Sequence, residues 1–360
     1  MHLPKIRKLT ALIILVVLSA LAYQVWQTQV RVQTVPNVIP KKITLLNWVD
    51  YTSKPVLDEF EKETGIQVVL EEYTQSNEMF SRFYANPGKY DIVIVDDFAL
   101  ASLNKARLLA TIDTTQLSNF SNMRADFVNQ HFDPHNTLSV PYLFGTTGLG
   151  INTQYVKDPI DSWTALLNPA YAGKVALFDE PSEVVIPLLE LIHKPLNAVP
   201  DAEVLDQMER VAHELRANGV ILAKPQDTQS MLVAGQVWIS MAYSGDLLGV
   251  IEENPQIKYV IPKEGSNKWI DSYVMSKQTK NKDAVYLFLN FMMRPDIAAK
   301  ITNELRYASP NKAATRYLEK NILSNPVVYP SELVLNTLEF IHDTSVLKSQ
   351  YNRLFSVLEE

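Results

Sequence analysis

The spacing of apolar positions changes in a regular order along the chain. "ITLLNW" (43–48) is a short, nearly unbroken apolar run of strand length. "KPVLDEFEKETG" (54–65) carries apolar residues at 56, 57 and 60, one helical face, with Gly65 as its stop. "IQVVLEEY" reads as a second strand, "NEMFSRFYA" (77–85) as a second helix, and "YDIVIV" (90–95) as a buried strand. Strand, helix, strand, helix, strand at this spacing predicts a parallel sheet covered on both faces.

"SVPYLFGTTGLGINTQYV" (139–156) is strand-like and rich in small residues, and it marks a crossing into a second lobe. Beyond it, "KVALFDEPSEVVIPLLELI" reads as strand, loop, helix. "AEVLDQMERVAHELRANG" (202–219) is an amphipathic helix stopped at Gly219. "QSMLVAGQVWISMAYSGDLLGVI" reads as helix, strand, loop, helix, and "KWIDSYVMS" as a strand. "DAVYLFLNFMMRPDIAAKI" is helical with a break at Pro295. No repeat stands out. The order predicts an α/β protein of two lobes, with the chain crossing between them more than once.

The N-terminus adds an address. Lys5, Arg7 and Lys8 precede the uncharged "LTALIILVVLSALA", and Ala20-Leu21-Ala22 fits a signal-peptidase site. Residues 1–22 read as a signal peptide, or as an uncleaved membrane anchor since the apolar run extends to Trp26. Residues 23–42 read as a tether. Either way the globular part is expected in the periplasm, free or held at the inner membrane. With 33 Lys and Arg against 40 acids, the net charge is -7, which argues against nucleic acid as a partner. The absence of cysteine excludes thiolate chemistry, disulfides and a lipoprotein cysteine.

The candidate chemistry gathers at strand ends. In an open parallel sheet, ligands sit beyond the carboxyl ends of the strands. Trp48, Asp50 and Tyr51 follow the first strand, where Trp48 as core and Asp50 as a turn residue are the competing roles. Asp96 and Asp97 follow the third strand with Phe98, and helix capping competes there. In "FDEPSEVV", Pro181 fits the first helical position, making Glu180 the N-cap and Glu183 the third residue of a capping box. Tyr243 and Asp246 lie in "AYSGDL", which also fits a turn. Trp269 and Asp271 in "KWIDS" share one strand face, and an Asp there needs a partner. Acid and ring recur together at four strand ends. Rings and carboxylates both attract organic cations: cation–π contacts contribute ~0.5–2 kcal/mol and an ammonium–carboxylate hydrogen bond ~1.5–3 kcal/mol. His131 and His135 lie four apart without a helical pattern, and no metal site or cofactor is expected.

At these residues a resemblance becomes specific. "NWVDY", "FEKETGIQVV", "YDIVIV", "FDEPSEV", "IPKEG", "KWIDS", "KNKDA", "LNFMMRPDIA" and "ASPNKAAT" resemble, in order from about Ile43 to Pro330, the bacterial periplasmic spermidine/putrescine-binding proteins of ABC importers. The resemblance implies a two-lobed periplasmic binding protein, each lobe a mainly parallel sheet flanked by helices, with a polyamine held between them. It implies lobe 1 over 43–143 and 270–315, and lobe 2 over 144–269 and 316–360. Its ring and acid positions fall on Trp48, Tyr51, Glu180, Glu183, Trp269 and Asp271. Tyr307 matches a tyrosine of spermidine binders and Asp246 an acid of putrescine binders. The chain departs from the pattern at Val49, at Val95-Asp96, at Tyr243 in place of a usual Trp, and near Ile341 and His342, where a Gln is missing. The expected function is non-enzymatic capture of spermidine or putrescine for import, by a monomer that hands its ligand to permease subunits. The competing functions are a membrane-tethered polyamine sensor and a secreted glycosidase using Glu180 with a second acid.

Overall fold

In the computed structural model, residues 42–342 and 347–359 are described; the leader and all but the last residue of the tether lie outside them. β1 (Lys42–Trp48) buries Ile43, Leu45 and Leu46. It leads into α1 (Lys54–Thr64), capped by the Ser53 hydroxyl and closed by Gly65 at φ 73°. β2 (Gln67–Tyr73), α2 (Ser76–Ala85), β3 (Ile92–Val95) and α3 (Asp97–Lys105) continue the predicted alternation. β4 (Ser139–Asn152) is buried along its whole length. Then follow β5 (Val175–Phe178), α4 (Pro181–Leu191), α5 (Ala202–Ala217), β6 (Ile221–Ala223), α6 (Pro225–Val233), β7 (Ile239–Tyr243), α7 (Ser244–Glu253) and β8 (Ile257–Val260). β9 (Lys268–Met275), α8 (Lys282–Met292) and α9 (Pro295–Leu305) come next, and α10 (Lys348–Glu359) ends the described chain. No helix among the described residues is long and apolar enough to cross a membrane.

The nine strands form one mixed sheet in the order β2-β1-β3-β9-β4-β7-β5-β6, with β8 also on β4. β1 is parallel to β2 and β3, and β5 is parallel to β6 and β7. These two parallel blocks are joined by antiparallel strands, because β9 and β4 run against their neighbours. β4 pairs with β9 through its first half and with β7 and β8 through its second.

A cluster with Phe127, Phe144, Ile270 and Leu338 bridges this junction, and two further apolar cores flank it. One gathers Ile43, Phe60, Ile92 and Phe288; the other gathers Trp163, Leu177, Ile186 and Met208, with α10 packed on it through Leu354 and Phe355. The small residues of β4 answer to that junction: a Cβ at Gly145 would lie 2.4 Å from the Trp269 ring, and one at Gly148 2.5 Å from the Val260 carbonyl oxygen.

Candidate functional site

The loop after β1 is cross-braced. Asn47 Nδ2 donates to the Tyr51 carbonyl at 2.7 Å and to Thr52 Oγ1 at 2.6 Å. Asp50 takes the left-handed conformation at φ 55°, which Asp tolerates better than most residues. This tight turn sends Tyr51 inward, 7% exposed, and leaves Asp50 exposed at the rim. Trp48 is half-buried on Tyr73, with ring centroids 4.3 Å apart.

At the end of β3, Asp96 caps α3, accepting from the Ala99 amide at 2.5 Å and from Ser76 Oγ at 3.4 Å. Asp97 begins the helix and is buried. One of its oxygens accepts from the Phe98 amide at 3.0 Å, and Oδ2 has no partner among the described residues. Phe98 is half-buried and stands in none of the ring pairs described below.

The capping box expected at α4 does not form. Glu180 occupies the N-cap position but its side chain bonds no helix amide; it accepts from Ser182 Oγ at 3.3 Å. Glu183 instead accepts from Thr147 Oγ1 of β4 at 3.4 Å. The turn expected at Ser244–Asp246 is also absent. β7 runs straight into α7, and Asp246 lies in its first turn. Tyr307 donates to Asp246 Oδ1, and the Asp246 amide donates back to Tyr307 Oη at 3.1 Å. Gly245 makes this approach possible, since a Cβ there would lie 2.3 Å from the Tyr307 ring.

On β9, Trp269 and Asp271 share a face. Trp269 lies opposite Gly145 of β4, and Asp271 opposite Leu143. The Trp269 ring meets Tyr243 at 5.7 Å and Tyr307 at 5.5 Å, and Tyr307 meets Tyr51 at 5.0 Å. A continuous line of rings thus joins the ends of β7, β9 and β1.

The acids beside this line are crowded. Burial, then Glu180, pushes the Glu183 carboxyl up to about 8, against the pull of Tyr243 and Thr147. Burial, then Asp96, pushes Asp271 up to about 8, although the Tyr51 hydroxyl and the Trp48 indole draw it back. Burial also raises Asp96, Asp97 and Asp246. Glu180 keeps accessible surface, yet the protein walls around it and Asp96 raise it as well. The leading charged neighbours of Glu183, Asp246 and Asp271 are other acids. Buried acids elsewhere are treated differently: Asp133 accepts from the amides of Thr137, Leu138 and Ser139, and Asp91 from Thr44 and Thr279.

Tyr51, Asp96, Glu180, Glu183, Tyr243, Asp246, Trp269, Asp271 and Tyr307 are therefore brought together by ring contact or mutual repulsion, and Trp48 joins them through Asp271. Asp50 reaches the group only through its charge on Asp246, and no ring contact ties in Phe98. Sequence reasoning passed over Tyr142, whose hydroxyl donates to the Tyr51 carbonyl at 3.1 Å, and Thr147. It also passed over Tyr73, which its parallel pairing with Trp48 would have flagged. A cluster of rings beside acids whose leading charged neighbours are other acids suits an elongated organic cation.

A two-lobed mixed α/β fold of this kind is that of a solute-binding protein. The chain matches the bacterial extracellular solute-binding protein family over residues 56–326, and it belongs to that family. It is 29% identical to the spermidine/putrescine-binding periplasmic protein of Escherichia coli over 318 residues, covering 87% of this chain and 90% of that one. It is 30% identical to the putrescine-binding periplasmic protein SpuD of Pseudomonas aeruginosa, with 83% and 86% covered. Among solved structures, it is similar to the spermidine/putrescine ABC transporter substrate-binding protein PotD of Streptococcus pneumoniae. The TM-score is 0.82 at 29% identity, over 89% of this chain and 99% of that one.

Proposed function

We propose that this protein captures a polyamine, spermidine or putrescine, in the recess between its lobes and delivers it to the permease subunits of an ABC importer. The observation that carries this reading is the set of acids led by half-buried Glu183 and buried Asp271, whose leading charged neighbours are negative and which lie beside a line of aromatic rings. Rings of Trp48, Trp269 and Tyr307 would flank the methylene chain, and the carboxylates would pair with the ammonium groups. In this reading the lobes divide as 43–143 with 270–315, and 144–269 with 316–360; the first apolar core lies in one and the second in the other, and the cluster of Phe127, Phe144, Ile270 and Leu338 joins them. Closure of one lobe on the other would shut the recess around the ligand. The protein would act as a monomer, without enzymatic activity, in the periplasm, with its N-terminal segment either removed or holding it at the inner membrane. Names of relatives with 29–30% identity favour an amine over a sugar.

Calorimetry with putrescine and spermidine, beside maltose and a chromogenic glycoside, tests this. One amine bound per chain in the micromolar range, with no sugar heat and no hydrolysis, is the expected result. Sugar binding without amine binding would overturn it.

A further inference from the structure

The buried end of β3 carries an acid, Asp97, of which the fold uses one oxygen, on the Phe98 amide, and leaves the other without a partner among the described residues. β3 is the apolar run Ile92–Val95, and its pairing of Val95 with Ser272 brings the following residues beside Asp271 on β9. The helix that starts there needs one cap, and Asp96 supplies it through the Ala99 amide. Asp97 is then free of capping duty. A negative charge in a first helical turn is favourable, but that effect needs no burial. Asp97 is 7% exposed, and its Oδ2 has no hydrogen-bond partner among the described residues. Any polar or small residue would serve a helix start at this position, whereas a buried carboxylate with an idle oxygen weakens the fold. The charged groups acting on it are Asp96 from its own helix end, Asp271 from β9 and Glu183 from α4. None of these compensates it.

Charge matching extends the argument. Asp96, Asp97, Glu180, Glu183, Asp246 and Asp271 are all raised by burial and, apart from Asp96, also by one another or by a neighbouring acid. Asp246 is already engaged by Tyr307. A diamine brings two ammonium groups, fewer than the acids gathered here, and Asp97 keeps an oxygen without a partner among the described residues. Resting on the polyamine reading above, we propose that Asp97 holds an additional ammonium group and thereby selects linear amines with three or four charges over diamines. Asp97 follows the residue that falls opposite Asp271 in the β3–β9 register and feels the Asp271 charge, so the group it receives is the one adjacent along the ligand to the group held by Asp271.

The test is calorimetry of the full chain and of Asp97→Asn with putrescine, spermidine and spermine, with melting curves recorded for each. Wild type is expected to prefer spermidine or spermine to putrescine by about tenfold or more, and the variant to lose about that factor for the longer amines only. The ratio between triamine and diamine should then collapse while diamine affinity stays within about twofold. Asp97→Ser, which keeps a residue suited to a helix start, gives the same reading if Asp97→Asn folds poorly. A wild type that binds putrescine as well as spermidine, or a ratio unchanged in a folded variant, overturns this inference and leaves the polyamine reading standing. Failure of wild type to bind any of the three amines overturns both.

Discussion

Asp271 concentrates the electrostatics of the recess in one side chain. It is 7% exposed and its carboxyl is pushed up to about 8 by burial and by Asp96. An unfolded Asp titrates near 4. A carboxyl raised on folding contributes its full stability below about 4 and loses it as the pH climbs toward 8. Asp271→Asn removes that charge while keeping the shape. The ligand-free variant should therefore melt above wild type at pH 8 and level with it near pH 4. Polyamine affinity should fall by about 2–4 kcal/mol, because the ammonium loses its charge-assisted partner in a largely desolvated recess. Asp50→Asn, at the exposed rim, should cost less than about 1 kcal/mol. Melting curves at both pH values and titration calorimetry check this pair. A variant that binds as wild type does but melts lower at pH 8 would make Asp271 a structural residue.

Strands β4 and β9 and helix α7 set where the rings lie, and glycines set how close they come. Gly145 of β4 lies under Trp269, and Gly245 of α7 under Tyr307. Adding a methyl at either place drives an aromatic ring from its seat, since backbone on the other side cannot yield. Gly145→Ala and Gly245→Ala should each destabilise by about 1–3 kcal/mol and weaken polyamine binding, with Trp269 or Tyr307 displaced in the crystal structure of the variant. Unchanged binding in a folded Gly245→Ala would show that the Tyr307 ring is not part of the recess. These same elements separate what the sequence reveals from what it hides. The helices starting at Lys54, Pro181 and Pro295 were legible because local signals fix them: a cap, a proline at the first turn, a glycine stop. The buried strands Ile92–Val95 and Ser139–Asn152 were legible from apolar runs. Strand direction was not, since β9 joins β3 and β4 antiparallel through contacts more than a hundred residues apart in sequence. The short strands Ile221–Ala223 and Ile257–Val260 carry no pattern long enough to read. Capping logic placed Glu180 and Glu183 at the right helix positions but gave them the wrong partners, because Thr147 arrives from another element. The acidic surroundings of Asp97 were hidden for the same reason: Asp271 and Glu183 come from β9 and α4, which lie far away in the chain.

For the molecule as a whole, the acids of the recess make the ligand-free and ligand-bound forms respond to pH in opposite ways. Glu183 and Asp271 both hold their protons up to about 8 in the ligand-free protein. Raising the pH from 5 to 8 ionises Glu183 against Glu180 and Asp96, and Asp271 against Asp96 and Asp246, so the empty protein should lose stability over that window. An alkylammonium comparable to lysine keeps its charge to about pH 10, so the ligand can compensate those carboxylates throughout the window. Binding should consequently strengthen as the pH rises toward 8, and at pH 7 it should expel protons from the recess, on the order of one per amine bound. Ligand at a thousandfold excess over Kd adds about 4 kcal/mol to the stability of the folded state. Because Kd itself improves with pH, the ligand-induced rise in Tm at fixed amine concentration should be small at pH 5 and large at pH 8. Melting curves with and without spermidine from pH 5 to pH 8 measure this gap. Calorimetry in two buffers of different ionisation enthalpy counts the protons. A gap that stays constant across the window, with no proton released at pH 7, would mean that these carboxylates are ionised before the ligand arrives, and that an unfilled recess does not destabilise the protein in the way its crowded acids imply.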